Sequence, residues 1–172
     1  GDVQASASAD GRIHVTALKV VHANSRAESR RMADEVHVDT STEGGELVVR
    51  ARYPARRSIR IGFWDLFHDM EWPSSEVKIV VQVPAGLGLA VRTSSGDIDC
   101  AGLASPLRVE STSGDIHIAA AGGDIDVTTS SGDVTAGDVG RTRIRTSSGD
   151  AGLTGVRGPL DVHTTSGDVT VR

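Results

Sequence analysis

Short runs of alternating apolar and polar residues recur along the second half of the chain, from residue 85 to residue 172. Each run leads into a Ser-Gly-Asp tripeptide, and the glycines of these tripeptides lie 18, 18, 17 and 18 residues apart: Gly96, Gly114, Gly132, Gly149 and Gly167. Because alternate residues of a β-strand point to opposite faces, each repeat predicts two short strands joined by two turns.

The aligned repeats place aliphatic or β-branched residues in the same inward columns of both strands. The first strands contribute Leu89, Val91, Thr93; Leu107, Val109, Ser111; Ile125, Val127, Thr129; Thr142, Ile144, Thr146; and Leu160, Val162, Thr164. The second strands contribute Ile98, Cys100; Ile116, Ile118; Val134, Ala136; Ala151, Leu153; and Val169, Val171. This pattern predicts an all-β fold, a flattened parallel β-solenoid with about 18 residues and two strands per coil. An antiparallel sandwich is the alternative, but its hairpins would not keep identical residues in identical columns.

Residues 1–84 interrupt the repeat, and we expect irregular N-terminal coils that belong to the same single domain, residues 1–172. The opening Gly1-Asp2-Val3 matches the Gly-Asp-Val of the later turns. The alternating residues Ile13, Val15 and Ala17 resemble one strand face, which predicts an earlier coil.

Two further elements are predicted in this irregular part. Ser25 and Glu28 have the spacing of a capping box, which predicts a short helix over residues 27–35. Residues 36–40 and 46–53 predict a hairpin around the turn at Glu43-Gly44-Gly45.

The composition narrows the class of protein without naming a function. Aromatic residues make up only 3% of the chain, and the net charge of -5 argues against nucleic-acid binding, which needs a basic surface. No apolar run approaches the roughly 18 residues of a membrane-spanning helix, so we do not expect this fragment to span a membrane. Cys100 is the single cysteine, so an intrachain disulfide is excluded.

The repeated Ser-Gly-Asp turns stack five carboxylates in what we name the aspartate column: Asp97, Asp115, Asp133, Asp150 and Asp168. Such side chains can satisfy backbone amides that a sharp glycine turn leaves unpaired. A column of like charges could instead bind calcium, which takes several oxygen ligands. A role in turn structure is favoured, because the sequence lacks the glycine spacing of nonapeptide calcium repeats. We therefore predict no metal and no cofactor. In the alternative, these five aspartates are the calcium ligands.

One outward column of the first strands alternates in charge, through Arg108, Asp126, Arg143 and Asp161. Parallel strands about 4.8 Å apart would place each residue beside an opposite charge. This alternation favours stacking in register.

Four of the aromatic residues fall in one window, which we name the aromatic segment: Phe63, Trp64, Phe67 and Trp72. It can cover an open end or side of the solenoid, or it can form an exposed patch that contacts a partner. These four residues are the partner-binding candidates. Nearby acidic residues and a basic cluster are interpreted as solvated surface: Asp65, His68, Asp69 and Glu71, and Arg50, Arg52, Arg56, Arg57 and Arg60.

Catalytic residues are not singled out by any pattern, because the serines and aspartates recur in every repeat. No nucleophile elbow, metalloprotease motif or phosphate loop is present. The sequence therefore predicts a protein that is not an enzyme. A carbohydrate-active enzyme on a β-helix scaffold remains an alternative, in which Asp97 with Asp99, or Asp124 with Asp126, would form a pair of carboxylates. It would require loss of glycan cleavage on changing Asp99 or Asp126.

The recurrent Thr-Ser-Ser-Gly-Asp-Ile of residues 93–98, its later copies and the Val-Pro-Ala-Gly of residues 83–86 resemble the bacterial putative-adhesin β-strand-repeat family, a domain of unknown function. The resemblance implies a non-enzymatic protein of the cell envelope or exterior. We expect an adhesion or interaction scaffold whose partner is a surface glycan or an envelope protein. Self-association through the solenoid ends, as a filament subunit, is the structural alternative.

Overall fold

The computed structural model describes residues 1–22, 37–43, 46–52 and 74–172, and in these ranges the fold is all-β. The strands of this part are, in chain order, β1 (Val3–Ala7), β2 (His14–His22), β3 (His37–Glu43), β4 (Glu46–Arg52), β5 (Ser74–Val83), β6 (Gly88–Thr93), β7 (Ile98–Ala101), β8 (Leu107–Ser111), β9 (Ile116–Ala119), β10 (Ile125–Ser131), β11 (Val134–Gly137), β12 (Thr142–Ser148), β13 (Ala151–Thr154), β14 (Leu160–Ser166) and β15 (Val169–Val171). They form sheet A, in the order β15-β13-β11-β9-β7-β1-β5-β2, and sheet B, in the order β14-β12-β10-β8-β6-β4-β3.

From β6 onward the chain alternates between the two sheets, and every strand pairs in parallel with the equivalent strand of the neighbouring coil. The pairing joins Val91 to Val109, Val109 to Val127 and Val127 to Ile144. The flattened parallel solenoid of about 18 residues and two strands per coil is confirmed.

The predicted inward columns form the core as far as β13, whereas Leu160, Val169 and Val171 of β14 and β15 are 37%, 45% and 52% exposed. Val109, Ile118, Val127, Val134, Ala136 and Ile144 are fully buried, and the hydroxyl members Ser111, Thr129 and Thr146 are buried with them. Sequence reasoning missed another inward column, between each sheet A strand and the next sheet B strand: Leu103, Ala121, Val139 and the half-buried Val156. Leu103 and Ala121 lie four residues before the next strand, whereas Val139 lies only three residues before it. The 17-residue coil is therefore one residue shorter than the 18-residue coils at this corner.

The first strand completes a coil that begins far away in the sequence. β1 lies between β5 and β7 and runs parallel to both, with Val3 paired to Ile79 on one side and to Ile98 on the other. Gly1-Asp2-Val3 therefore occupies the same position in its coil as the later Gly-Asp-Val turns do in theirs, as predicted.

The prediction of a repeat-like coil at Ile13, Val15 and Ala17 is wrong. β2 is antiparallel to β5, because residues 8–13 reverse the chain across the end of that strand. Only Val15 packs against the core, whereas Ile13 and Ala17 are exposed.

The predicted hairpin is confirmed, since β3 and β4 pair antiparallel from His37 with Arg52 to Glu43 with Glu46. The helix predicted over residues 27–35 lies outside the described residues. Within the described ranges, no helix is long and apolar enough to cross a membrane.

Candidate interaction surface

The aspartate column is a continuous hydrogen-bond ladder at the corner between the two sheets. Oδ1 of Asp97 accepts the backbone N–H of Asp115 at 3.0 Å, and Oδ1 of Asp115 accepts that of Asp133 at 2.9 Å. The same contact continues through Asp150 to Asp168 at 2.9 and 2.8 Å. At the other end, Oδ1 of Asp2 accepts the N–H of Asp97 at 3.1 Å, so the first turn of the chain joins the ladder.

A second ladder of hydroxyl groups closes the same corner. The inward residue at the end of each first strand donates its hydroxyl to the carbonyl two residues ahead, at 2.8–3.2 Å, through Thr93, Ser111, Thr129, Thr146 and Thr164. These hydroxyls are therefore satisfied inside the corner, which explains why polar residues occupy an inward column.

These contacts give the aspartate column a structural role, in agreement with the interpretation that the sequence favours. In the described ranges, no group of three or more His, Cys, Asp or Glu side chains is arranged to hold a metal ion. The charge repulsion along the column is offset locally, because the carboxylates of Asp97, Asp115, Asp133 and Asp150 each accept an amide hydrogen.

Substitutions of Asp133 distinguish a structural role of the aspartate column from calcium binding. We expect Asp133→Ala to lower the free energy of unfolding by about 1–2 kcal/mol, because the N–H of Asp150 loses its acceptor. Asp133→Asn keeps an acceptor oxygen and removes one charge, so it should unfold close to the wild type. Thermal unfolding followed by circular dichroism, with calcium or with a chelator, tests both variants. A melting temperature that rises with calcium in the wild type and not in Asp133→Asn would contradict the structural role.

The outer face of sheet B carries side chains of both charges. The column Arg108, Asp126, Arg143 and Asp161 is in register as predicted, and Nε of Arg143 contacts Oδ2 of Asp161 at 3.1 Å. In the next column, Nε of Arg92 contacts Oε2 of Glu110 at 3.0 Å. These pairs are largely exposed and contribute about 0.2–1 kcal/mol each, so they specify register more than stability.

An open groove runs across four coils at one margin of this face, with a volume of about 380 Å³. Its walls are the outward column at Arg108 to Asp161 and the residues just before the strands: Pro106, Asp124, Arg141 and Pro159. The groove is lined by both signs of charge.

The outer face of sheet A differs in character. Asp99 and His117 are register partners on this face, and small residues follow them in both outward columns: Ala101, Ala119, Thr135, Gly137, Gly152 and Thr154. Of the two candidate carboxylate pairs, Asp97 belongs to the aspartate column at the corner while Asp99 faces outward from sheet A. Asp124 and Asp126 both line the open groove on sheet B.

Cys100 is buried in its inward column, as the sequence predicts for a small apolar position. Burial and the nearby carboxylate of Asp99 raise the pKa of its thiol to about 12. The thiolate is therefore negligible at neutral pH, and Cys100 is not a nucleophile here.

A polar cluster that sequence reasoning missed surrounds Asp10 in the segment between β1 and β2. Its carboxylate accepts hydrogen bonds from the Ser8 hydroxyl at 2.7 Å and the Arg12 N–H at 3.0 Å, and it contacts Nε2 of His14 at 2.9 Å. The hydrogen bonds of Ser8, His14 and Arg12 lower the pKa of Asp10 to about 2. The sequence signal is an Asp with polar residues at two-residue intervals, which is typical of a turn.

The aromatic segment, the partner-binding candidates Phe63, Trp64, Phe67 and Trp72, lies outside the described residues. The acidic residues beside it lie outside as well, and so do Arg56, Arg57 and Arg60. Arg50 is paired in register with Asp39 in the β3–β4 hairpin.

Comparison with known proteins places this geometry in a family. No curated protein and no solved structure matches the chain. The family model described as Toastrack DUF4097 matches residues 2–172, which includes every coil of the solenoid. The chain therefore belongs to the Toastrack DUF4097 family, a domain of unknown function.

Proposed function

We propose that this domain is a non-enzymatic scaffold of the bacterial cell envelope or exterior that mediates adhesion or interaction, and that its partner is a surface glycan or an envelope protein. The observation that carries the proposal is that the polar groups at the corner between the sheets and those on the outer faces of the sheets have different partners. The corner hydroxyls and carboxylates bind backbone groups of the fold, whereas the outward columns of both sheets are available at a spacing of about 4.8 Å per coil.

The repeated chemistry supports a binding role over catalysis. An active site needs a group that its surroundings set apart, in a concave and partly dry pocket. The aspartates of the corner share one environment in every coil, and the groove on sheet B is open. Recognition by a repeated surface needs no such distinction, because the partner contacts several equivalent positions at once.

The aromatic segment supplies a separate contact in this proposal. Tryptophan side chains combine a large apolar area with one hydrogen-bond donor, and this combination is common at binding surfaces.

Binding of the whole chain to isolated bacterial cell-wall sacculi, measured by co-sedimentation, tests the proposal. We expect the wild type to bind and the double variant Trp64→Ser/Trp72→Ser to bind at least about tenfold less, since two aromatic anchors are lost. The conservative control Trp64→Phe/Trp72→Phe should retain most of the binding. Lost binding with unchanged melting of the Ser variant would identify the segment as a binding patch, whereas a large loss of stability would show that it covers the solenoid.

A further inference from the structure

Three outward positions on each of four adjacent strands give the outer face of sheet B a regular grid of side chains. Its rows belong to β8, β10, β12 and β14 and are, in that order, Pro106, Arg108, Glu110; Asp124, Asp126, Thr128; Arg141, Arg143, Arg145; and Pro159, Asp161, His163. The register pairs fix two columns of this grid, and backbone hydrogen bonds such as Leu107 N–H to Asp124 O continue the alignment into the third. All twelve residues are exposed or half-buried.

The charges of this grid are segregated by row. The β10 row holds two carboxylates, Asp124 and Asp126, and the neighbouring β12 row holds three arginines. Within the grid, only Arg143 with Asp161 forms an ion pair among the described residues. Five charged side chains of the β8, β10 and β12 rows therefore have no charged partner among the described residues. They are Arg108, Asp124, Asp126, Arg141 and Arg145.

A two-fold axis that lies parallel to the strands, between β10 and β12, sets opposite charges against each other in three of the six facing pairs and leaves the other three without like charges. The rotation places β10 against β12 of a second copy and β8 against β14 of that copy. The facing residues would be Asp124 with Arg141, Asp126 with Arg143, Arg108 with Asp161, Glu110 with His163, Thr128 with Arg145 and Pro106 with Pro159. No like charges meet.

We propose that the outer face of sheet B is a homodimer interface, on which a second copy of this chain docks face to face, with its strands parallel to those of the first copy and its coils stacked in the opposite order. Such an interface is isologous, because each facing pair occurs twice about the axis. The charges also define the register, since moving the axis onto β10 or β12 would place carboxylate against carboxylate or arginine against arginine. This inference goes beyond the proposed scaffold function and does not depend on the solenoid ends.

The size and chemistry of the grid predict a weak, salt-sensitive dimer. With strands about 4.8 Å apart and outward residues about 6.6 Å apart, four rows and three columns cover about 380 Å² per copy, below the roughly 800 Å² of a standard interface. The contacts are mostly charged, and the groove of about 380 Å³ lies within the grid, where it can receive the partner's long arginine side chains. Electrostatic complementarity of this kind gives specificity and rapid association more than high affinity.

Sedimentation equilibrium of the whole chain over a range of ionic strengths tests the interface. We expect a dimer at about 10 mM salt that dissociates toward 1 M salt, as the screening length falls from about 30 Å to about 3 Å. Asp126→Arg should weaken the dimer at least about tenfold, because it sets an arginine against Arg143 of the second copy. The matched control is Asp99→Arg, which makes the same charge change on the outer face of sheet A and should leave the dimer intact.

A charge-swap experiment separates this geometry from a general effect of net charge. The variants Asp124→Arg/Asp126→Arg and Arg141→Asp/Arg143→Asp should each be monomeric, and their mixture should form a heterodimer. The chain that carries all four substitutions keeps the wild-type net charge; it should dimerise with itself and not with the wild type. Circular dichroism melting identifies any variant that fails to fold, and the remaining variants carry the test.

Three results would overturn the inference. The first is a monomer at every concentration at low salt. The second is association that Asp126→Arg leaves unchanged, which would assign it to the solenoid ends or another surface. The third is a dimer in which the fourfold variant still pairs with the wild type.

Discussion

Replacing Val127 with Asp is expected to leave the domain unfolded at room temperature. Val127 is fully buried in sheet B, between Val109 and Ile144 of the neighbouring coils. A carboxylate there has no hydrogen-bonding partner among apolar neighbours, and burial of such a group costs several kcal/mol. A domain of this size has a free energy of unfolding of about 5–15 kcal/mol, so the cost of this single change is comparable to the whole of it. Far-ultraviolet circular dichroism and urea unfolding measure the loss.

Thr128→Asp is the matched control, because the next residue of the same strand points outward. Its register neighbours are Glu110 and Arg145, so we expect a change within about 0.5–1 kcal/mol. Ile116→Asp, at a buried position of sheet A, should behave as Val127→Asp does. An unfolding curve for Val127→Asp that matches that of Thr128→Asp would reject the inward columns.

The contrast between Val127 and Thr128 shows why the solenoid could be predicted from the sequence. In a parallel stack each coil repeats the environment of the previous one, so a position such as Val109, Val127 or Ile144 keeps its character at a fixed interval. Alternation then separates inward from outward residues without knowledge of any distant contact. The spacing of the glycine turns supplies the coil length.

The arrangement of the first strands could not be predicted in the same way. β1 pairs with β7, although Val3 and Ile98 are far apart in the sequence, and the pairing depends on which open edge the core leaves for it. Gly1-Asp2-Val3 indicates membership of a coil but not which neighbours that coil has. β2 shows the converse problem, because Ile13, Val15 and Ala17 alternate like a core strand while only Val15 reaches the core.

The candidate surface was predictable in part. Charge alternation at Arg108, Asp126, Arg143 and Asp161 predicts stacking, and the register confirms it. The segregation of charge by row requires the flanking positions as well, which the column alone does not reveal. The role of the aspartate column could be assigned only from the structure. The sequence alone does not distinguish a carboxylate that accepts a backbone amide hydrogen from one that binds a cation.

Gly132→Ala is the second substitution with a large expected effect. Gly132 has a φ of +117°, a conformation that residues with a side chain rarely adopt, and the added Cβ would fall on the backbone carbonyl of Gly114 in the preceding coil. The strained backbone costs about 1–3 kcal/mol. The overlap adds to it, because the carbonyl belongs to the backbone and can move away only if two coils separate. We therefore expect a loss of about 3–5 kcal/mol, measured by urea unfolding.

Gly152→Ala provides the control within the same solenoid. Gly152 points outward from β13, and a Cβ there would have no atom within 4 Å. Alanine restricts the unfolded chain more than glycine does, so this variant should be unchanged or more stable by up to about 1 kcal/mol. Equal stability of the two variants would mean that coils can separate at the Gly114–Gly132 contact without loss. The close stacking of corners would then not determine the spacing at which the solenoid presents its outward columns.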